Sequence, residues 1–452
     1  MTTTACSSPL AADSSTIPQG AAVTGMSVLQ GAALTTGAVL GTGVISLPAM
    51  AAGIAGPASL VAWLALVLLS VPLAATFAAL GSRFPDAGGV STYARRAFGP
   101  RVAAMVGWCF YFAIPVGATP AAAFAGGYVA DTFGGGRTTQ VSTAGALMLL
   151  VGAMNAFGVR VSGRVQLGFA GVLAALLTVA TLAALPHARF DNLTPFAPHG
   201  WMAVGSAAAV LVWAFAGWEA VTSLTSEYRR PRHDIPRATT IAVVVIGALY
   251  LGVAAASIAV LGPAAGSSNA PLADLLVIGL GEPARPATTL VAVLLTVGAM
   301  NAYFAGAAKL GAALGRDQAL PTWFAQGSLR GEVPRRSLCV VVILSLAGLA
   351  LITALGSDLE VSVLLTTGSF TLVYVIGTAA AVRLLPRRSW SWWGAVLSLA
   401  SVLALLRMIG LHALWGLGVA GAALAYGFVA ARRRRADSLA SPSPIESATT
   451  AP

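Results

Sequence analysis

Two apolar runs of membrane-span length each carry a glycine-marked interruption near the middle. The first reads Ala33-Leu34-Thr35-Thr36-Gly37-Ala38-Val39-Leu40-Gly41-Thr42-Gly43-Val44-Ile45-Ser46-Leu47-Pro48. The second reads Val210-Leu211-Val212-Trp213-Ala214-Phe215-Ala216-Gly217-Trp218-Glu219-Ala220-Val221. In hydrocarbon every backbone N–H and C=O must be paired, so a spanning helix breaks only where protein, water or a ligand takes up the freed groups. The two breaks stand about five spans apart. Interruptions in corresponding positions of two halves mark an internal repeat around a midplane site.

Composition agrees with a chain that lives in lipid. Hydrophobic residues make up 57% of it and charged residues 9%. A polytopic membrane protein fits that balance, whereas a soluble protein of this length could not cover its core. The net charge of +11 does not indicate nucleic acid, because the basic residues fall in short bursts between apolar runs. The arginines at 432–435 read as a stop-transfer anchor for lipid headgroups. Residues 1–27 contain no Lys or Arg, so no signal-peptide n-region is evident. That segment, and residues 432–452, read as disordered cytoplasmic tails. Cys6, Cys109 and Cys339, and His187, His199, His233 and His412, show no ligand or disulfide spacing. No metal and no cofactor is expected.

A span needs roughly 20 apolar residues. That ruler gives twelve candidates, near 28–52, 57–82, 104–130, 141–159, 165–186, 201–228, 237–262, 285–314, 337–355, 359–383, 390–408 and 411–431. Arginines and Lys309 crowd the even-numbered exits: Arg83, Arg95, Arg96 and Arg101, then Arg160 and Arg164, Arg229 to Arg237, Arg316 to Arg336, Arg383 to Arg388, and finally 432–435. The other side holds Arg137, Arg189, Arg285 and Arg407. Positive-inside bias therefore puts both termini in the cytoplasm. Residues 28–186 form a first repeat of five helices, and residues 201–383 a second. Five is odd, so the second repeat is inverted. Residues 390–431 add two further helices.

The breaks carry the chemistry. At Gly41-Thr42-Gly43 the second half-helix begins, with free N–H groups and the positive dipole end suited to a carboxylate. Glycine admits a ligand to the backbone, and Thr42 adds a hydroxyl. Small residues for helix packing are the alternative reading. At Phe215-Ala216-Gly217-Trp218-Glu219 a half-helix ends in carbonyls suited to an ammonium group. Together they match a zwitterionic amino acid. Glu219 is the acidic residue placed deep in a span, at a cost of roughly 2.5–3.5 kcal/mol on insertion scales. It accepts a proton during transport, or it ties the unwound segment to its neighbours; substrate contact is a third role. Trp213 would cover the pocket or simply pack. Asn301 and Tyr303 are polar points in the eighth span, and Asn301 would bond the unwound segments, the substrate or another helix. Pro115 and Pro120 suggest a kink in the third span, with Gly117 between them permitting close approach of the first.

These residues resemble the amino acid–polyamine–organocation (APC) superfamily, over nearly the whole chain. The matching pieces are Gly41-Thr42-Gly43-Val44 with Leu47-Pro48-Ala49, Phe84-Pro85-Asp86-Ala87-Gly88-Gly89, and Trp213 through Ala220 leading to Ser226-Glu227. Arg230-Pro231-Arg232-His233-Asp234-Ile235-Pro236-Arg237-Ala238 resembles the family's N-P-x-R-x-x-P-R-A loop. It departs from it at Arg230 and His233. Ile114-Pro115-Val116-Gly117 and Asn301-Ala302-Tyr303 resemble bacterial exporters of methionine and branched-chain amino acids. The resemblance implies a LeuT-type fold with broken helices 1 and 6. It makes Gly41, Thr42 and Gly43 the carboxylate segment, Val39 and Ala216 the carbonyls facing the amine, Gly217 part of the same site, Trp213 the covering aromatic and Glu219 the gate or proton-linked acid. Ile114, Gly117 and Asn301 are possible pocket residues. The span-five lysine of some relatives is missing between Leu167 and Leu185.

The expected protein is an all-α carrier of about twelve transmembrane helices in a bacterial plasma membrane. It moves neutral, apolar amino acids by alternating access, with proton-coupled efflux. Its partners are the substrate, a proton and the lipid bilayer, not nucleic acid. An uptake permease for amino acids or amines is the alternative within the class. A non-transporting membrane sensor or accessory subunit is the alternative outside it. An intramembrane enzyme would need a paired acid–base or metal constellation, and Glu219 stands alone.

Overall fold

A computed structural model describes residues 26–84, 89–158, 163–219, 228–328 and 332–440. Several expectations lie outside these residues: most of both tails, positions 85–88 of the first loop motif, Arg160, Arg330, and positions 220–227 with Ser226-Glu227.

The chain is all-α. Its helices are α1 (Val28–Val39), α2 (Leu47–Ala55), α3 (Ser59–Arg83), α4 (Gly89–Phe98), α5 (Pro100–Phe133), α6 (Gly136–Ala156), α7 (Gly163–Ala184) and α8 (Met202–Leu211). After the second break come α9 (Pro231–Ala256), α10 (Pro271–Leu280), α11 (Ala284–Arg316), α12 (Arg335–Leu355), α13 (Leu359–Leu384), α14 (Trp390–Ile409) and α15 (Ala413–Ala440). Among the described residues, 8 helical stretches are long and apolar enough to cross a membrane, and Val28–Val39, Met202–Phe215 and Pro271–Leu280 are shorter apolar helices. The protein is thus a multi-spanning membrane protein.

Local chemistry sets the ends. Ser27 caps α1, accepting from the Gln30 N–H at 3.3 Å while the Gln30 side chain accepts from the Ser27 N–H at 3.0 Å, a capping box. Two apolar stretches exceed one span, Leu47–Arg83 with 37 residues and Trp390–Arg432 with 43. Each turns at a glycine of positive φ, Gly56 at 58° and Gly410 at 64°, where a side chain would be strained. α5 runs unbroken through Pro115 and Pro120.

Among the described residues 8 stretches meet the span criterion where about twelve spans were expected, and three helices differ from the sequence reading. α4 and α10 are ten-residue helices between spans, too short for the span ruler to register. α15 continues to Ala440, past the boundary expected at 431. The helix carries the arginines with it, and Arg432 lies 4.4 Å over the Phe428 ring, a cation–π contact.

Burial sorts the long helices. The apolar windows of α13 and α5 are 67% and 56% buried, whereas those of α7, α12 and the α14–α15 stretch are 22% buried. The first pair is the internal scaffold and the second group the lipid-facing rim. α1 packs on α9 and α7, and α2 packs on α8. At one end Arg285 of α11 binds Asp131 of α5 at 2.5 Å and Asp274 of α10 at 3.1 Å, joining three helices. At the opposite end Met26 pairs with Tyr228 and Arg95 lies 3.8 Å from Asp317.

Candidate functional site: a cavity between two helix breaks

Both interruptions fall where the glycines mark them. α1 stops at Val39, a 3-10 turn spans Thr42–Ile45, and α2 starts at Leu47. α8 stops at Leu211, a 3-10 turn spans Val212–Phe215, and residues 216–219 form a turn. The two 3-10 turns pack side by side. Gly217 is the contact point. Its φ is 131°, and a Cβ there would lie 2.9 Å from the Ala38 carbonyl oxygen and 3.0 Å from Val39 Cα. No side chain fits between two backbones that close.

Three buried tyrosines take up the polar groups that the breaks release. Tyr128 of α5 donates to the Ile45 carbonyl at 2.5 Å and accepts from the Leu272 N–H at 3.2 Å. The Tyr250 hydroxyl of α9 lies 2.9 Å from the Val39 carbonyl and 2.8 Å from that of Ala214, so one hydroxyl joins the two breaks. Its ring packs on Phe215 and Trp63, at 5.2 Å and 5.3 Å between centroids. Tyr374 of α13 donates to Glu219 Oε2 at 2.5 Å. The Gly217 N–H donates to the same oxygen at 2.9 Å and lies 3.1 Å from the Tyr374 hydroxyl. Helix ends need such partners, and a phenol hydroxyl can both donate and accept.

Two cavities meet at the breaks. The inner one measures about 50 Å³ and the larger about 700 Å³. Val39, Gly41, Thr42, Gly43, Ile114, Gly117, Trp213 and Ala216 line the inner cavity. Gly217 and Glu219 line the larger one, and Gly41, Thr42 and Ile114 border both. Among the described residues, Glu219 is the one charged side chain lining either cavity.

For Asn301 the structure favours the helix–helix bond among its open roles. The residue lines neither cavity. It is buried against α6, where the Asn155 side-chain amide donates to its Oδ1 at 2.8 Å. One turn of α11 cannot aim every polar residue at the same place, and Tyr303, two residues on, is the one that borders both cavities. The Val39 carbonyl faces the site but already accepts from Gly41 N–H at 2.7 Å as well as from Tyr250. Sequence reasoning missed Tyr128, Tyr250 and Tyr374, and also Met300, Thr366 and Phe370 of the lining. A tyrosine inside an apolar span was the available signal, since a phenol hydroxyl in lipid calls for a partner.

A bundle of membrane helices is thus broken twice beside two cavities that share lining residues, an arrangement with room for a small solute. The family described as amino acid permease matches residues 26–432. YecA of Bacillus subtilis (strain 168), described as an uncharacterized amino acid permease, is 31% identical over 371 residues, or 81% of this chain and 87% of that protein. The L-methionine/branched-chain amino acid exporter YjeH of Escherichia coli (strain K12) is 31% identical over 398 residues, or 87% of this chain and 93% of that protein. The transporter Rv1999c of Mycobacterium tuberculosis (strain ATCC 25618 / H37Rv) is 28% identical over 429 residues, or 91% and 93%. The chain belongs to the amino acid permease family of the APC superfamily. It is a membrane transporter of amino acids, not an enzyme.

Proposed function

We propose that this permease moves neutral, apolar amino acids out of the cell in exchange for protons, by alternating access on a LeuT-type frame of two inverted five-helix repeats with two added helices. The observation that carries the substrate class is the cavity lining. Glycine, alanine, valine, isoleucine, methionine and aromatic side chains surround the inner cavity, with a single threonine hydroxyl at each of positions 42 and 366. A charged substrate side chain would meet no counter-charge there and would lose its hydration without compensation. The substrate carboxylate sits at Gly41, Thr42 and Gly43, where a helical turn begins with no side-chain cap. The ammonium sits at the carbonyls of Val39 and Ala216, beside Gly217, and takes the place of the Tyr250 hydroxyl at Val39, which can turn to the Ala214 carbonyl 2.8 Å away. Trp213 covers the site, with Ile114 and Gly117 behind it. The name of the Escherichia coli relative, an exporter of methionine and branched-chain amino acids, supports both substrate and direction.

Helix pairings support the repeat. α1 packs on α9 as α8 packs on α3, and α4 packs on α13 as α10 packs on α7. Exchanging each helix for its counterpart five spans on converts one pairing into the other. The short helices α4 and α10 occupy corresponding places, after the second and seventh spans. Under the arginine bias, the end carrying Met26, Arg95 and Arg383 is cytoplasmic, and the larger cavity, bordered by Ala33, Ser91 and Leu310, opens toward it. Glu219 carries the proton: it is the charged group at the cavity, and its hydrogen bonds tie it to the break that must rearrange.

Counterflow in proteoliposomes tests this reading. Vesicles loaded with unlabelled leucine should accumulate labelled leucine, methionine, isoleucine and valine, but not arginine, glutamate or putrescine. An inward proton gradient should drive net efflux of the same substrates. Accumulation of arginine or putrescine in preference to leucine would refute the apolar substrate class.

A further inference from the structure

Neither Gly43 nor Gly117 has a left-handed φ, so their backbones do not demand glycine. Space does. A Cβ on Gly43 would lie 2.5 Å from Trp213 Cδ1 and 2.9 Å from its Nε1. A Cβ on Gly117 would lie 3.0 Å from Trp213 Cη2 and 3.4 Å from its Cζ3, with Thr366 Cγ2 also at 3.0 Å. Cδ1 and Nε1 belong to the five-membered ring, and Cη2 and Cζ3 to the far edge of the six-membered ring. The indole therefore lies lengthwise as a bar, one end on the first break and the other on α5. Gly41, two residues before Gly43, is different: a Cβ there would find its nearest neighbour at 3.9 Å, the Val39 carbonyl oxygen. Room at the first break thus lies over Gly41, and the space over Gly43 is filled by the indole together with Leu47 Cδ1, which a Cβ would meet at 2.8 Å.

We infer that Gly43 and Gly117 form a two-ended slot that seats the Trp213 side chain across the inner cavity and so sets the closed position of the gate. They are positioning residues, acting on substrate through Trp213. The slot explains why α5 carries glycine between Pro115 and Pro120, and it gives a second reason for glycine at 43 beside the approach of substrate to its backbone N–H. This inference rests on reading Trp213 as the aromatic that covers the site. Contacts within van der Waals distance across both ends mean that a methyl group at either end must lift the ring or bend its support.

A size-exchange cycle tests it, using leucine counterflow on reconstituted full-length protein. Gly117→Val should reduce the initial rate at least about tenfold, and Trp213→Leu should reduce it by itself. A side chain at 117 also meets Thr366 Cγ2, so the cycle is run in a Thr366→Ser background, where Gly117→Val added to Trp213→Leu should cost less than about twofold more. Gly43→Ala combined with Trp213→Leu should show the same saving in a Leu47→Ala background, which removes the other side chain that a Cβ at 43 would meet. Strictly additive losses in both pairs overturn the slot while leaving the substrate reading intact. Absence of counterflow by the wild-type protein with leucine, methionine, valine and isoleucine overturns the substrate reading instead. A second measurement then decides the slot without transport. In a background with Cys6, Cys109 and Cys339 replaced by serine, Met300→Cys in the cavity wall should react slowly with an impermeant maleimide added to intact cells. Gly117→Val should speed that reaction at least about threefold by unseating the bar, and an unchanged rate overturns the inference.

Discussion

Glu219 accepts two donors on one oxygen, the Tyr374 hydroxyl and the Gly217 N–H. Charge-assisted bonds of this kind contribute about 1.5–3 kcal/mol each. They offset part of the cost of holding a carboxylate away from bulk water. They also mean that adding a proton changes the break directly, because a neutral carboxyl accepts these donors less strongly. Glu219→Gln should therefore keep substrate-for-substrate exchange within about threefold, while gradient-driven net transport falls at least about tenfold. Exchange requires no net proton movement and the amide retains an acceptor oxygen. If the variant still concentrates leucine against its gradient under an imposed pH gradient, Glu219 does not carry the coupling proton. Loss of both activities assigns it to holding the unwound segment.

At the scale of elements, the breaks are held by other helices rather than by their own flanks. Tyr128, Tyr250 and Tyr374 reach in from α5, α9 and α13. Each supplies one hydroxyl to backbone that helix geometry has abandoned. The crossing of the two breaks depends on Gly217, whose backbone lies against Ala38 and Val39. Gly217→Ala meets both a positive φ and a backbone oxygen, and the strain is about 1–3 kcal/mol before any displacement. The expected outcome is a protein that reaches the membrane, has a lowered melting temperature in detergent and has lost leucine counterflow. Gly41→Ala should keep its melting temperature, since its Cβ has room. Equal melting temperatures for the Gly217→Ala variant and wild type would mean that the crossing is not a tight constraint.

The whole molecule is organised by lipid on its outside and by the breaks within. α5 and α13 form the interior, and α7, α12, α14 and α15 present apolar faces such as Leu182, Leu351, Leu403 and Leu414 outward. Burying those faces in hydrocarbon is what the composition requires. The proposed orientation across the membrane rests on the arginine bias. Cysteines placed singly at Arg95, Arg232 and Arg388 should resist an impermeant thiol reagent in intact cells, and those at Asn192 and Ser268 should react. Reaction at position 232 from outside would reverse or break the assigned topology. In the fold, Asn192 is near the Ala259 carbonyl, at 2.8 Å from its side-chain amide, and Ser268 binds Asp274. Both therefore lie with the turns that follow α7 and α9.

Sequence alone determined the class, the long apolar helices and the two breaks, because lipid makes apolar length and helix-breaking glycine almost sufficient signals. Gly41, Thr42, Trp213 and Gly217 could be singled out for the same reason: each departs from what an uninterrupted span would contain. The short helices α4 and α10 left no such mark, being too brief for a length criterion. What the sequence could not supply is which side chains converge. Asn301 and Tyr303 are equally polar points on one helix, and only packing turns the first to Asn155 and the second to the cavity. Tyr250 and Tyr374 lie far from the breaks along the chain, and only the folded bundle carries their hydroxyls to the carbonyls and carboxylate they meet. Gly43 lines the inner cavity, and only tertiary structure shows that the Trp213 indole lies against its Cα. A period or a break is a local property of the chain, whereas the direction in which a side chain finds its partner is set by helices that the sequence separates and packing brings together.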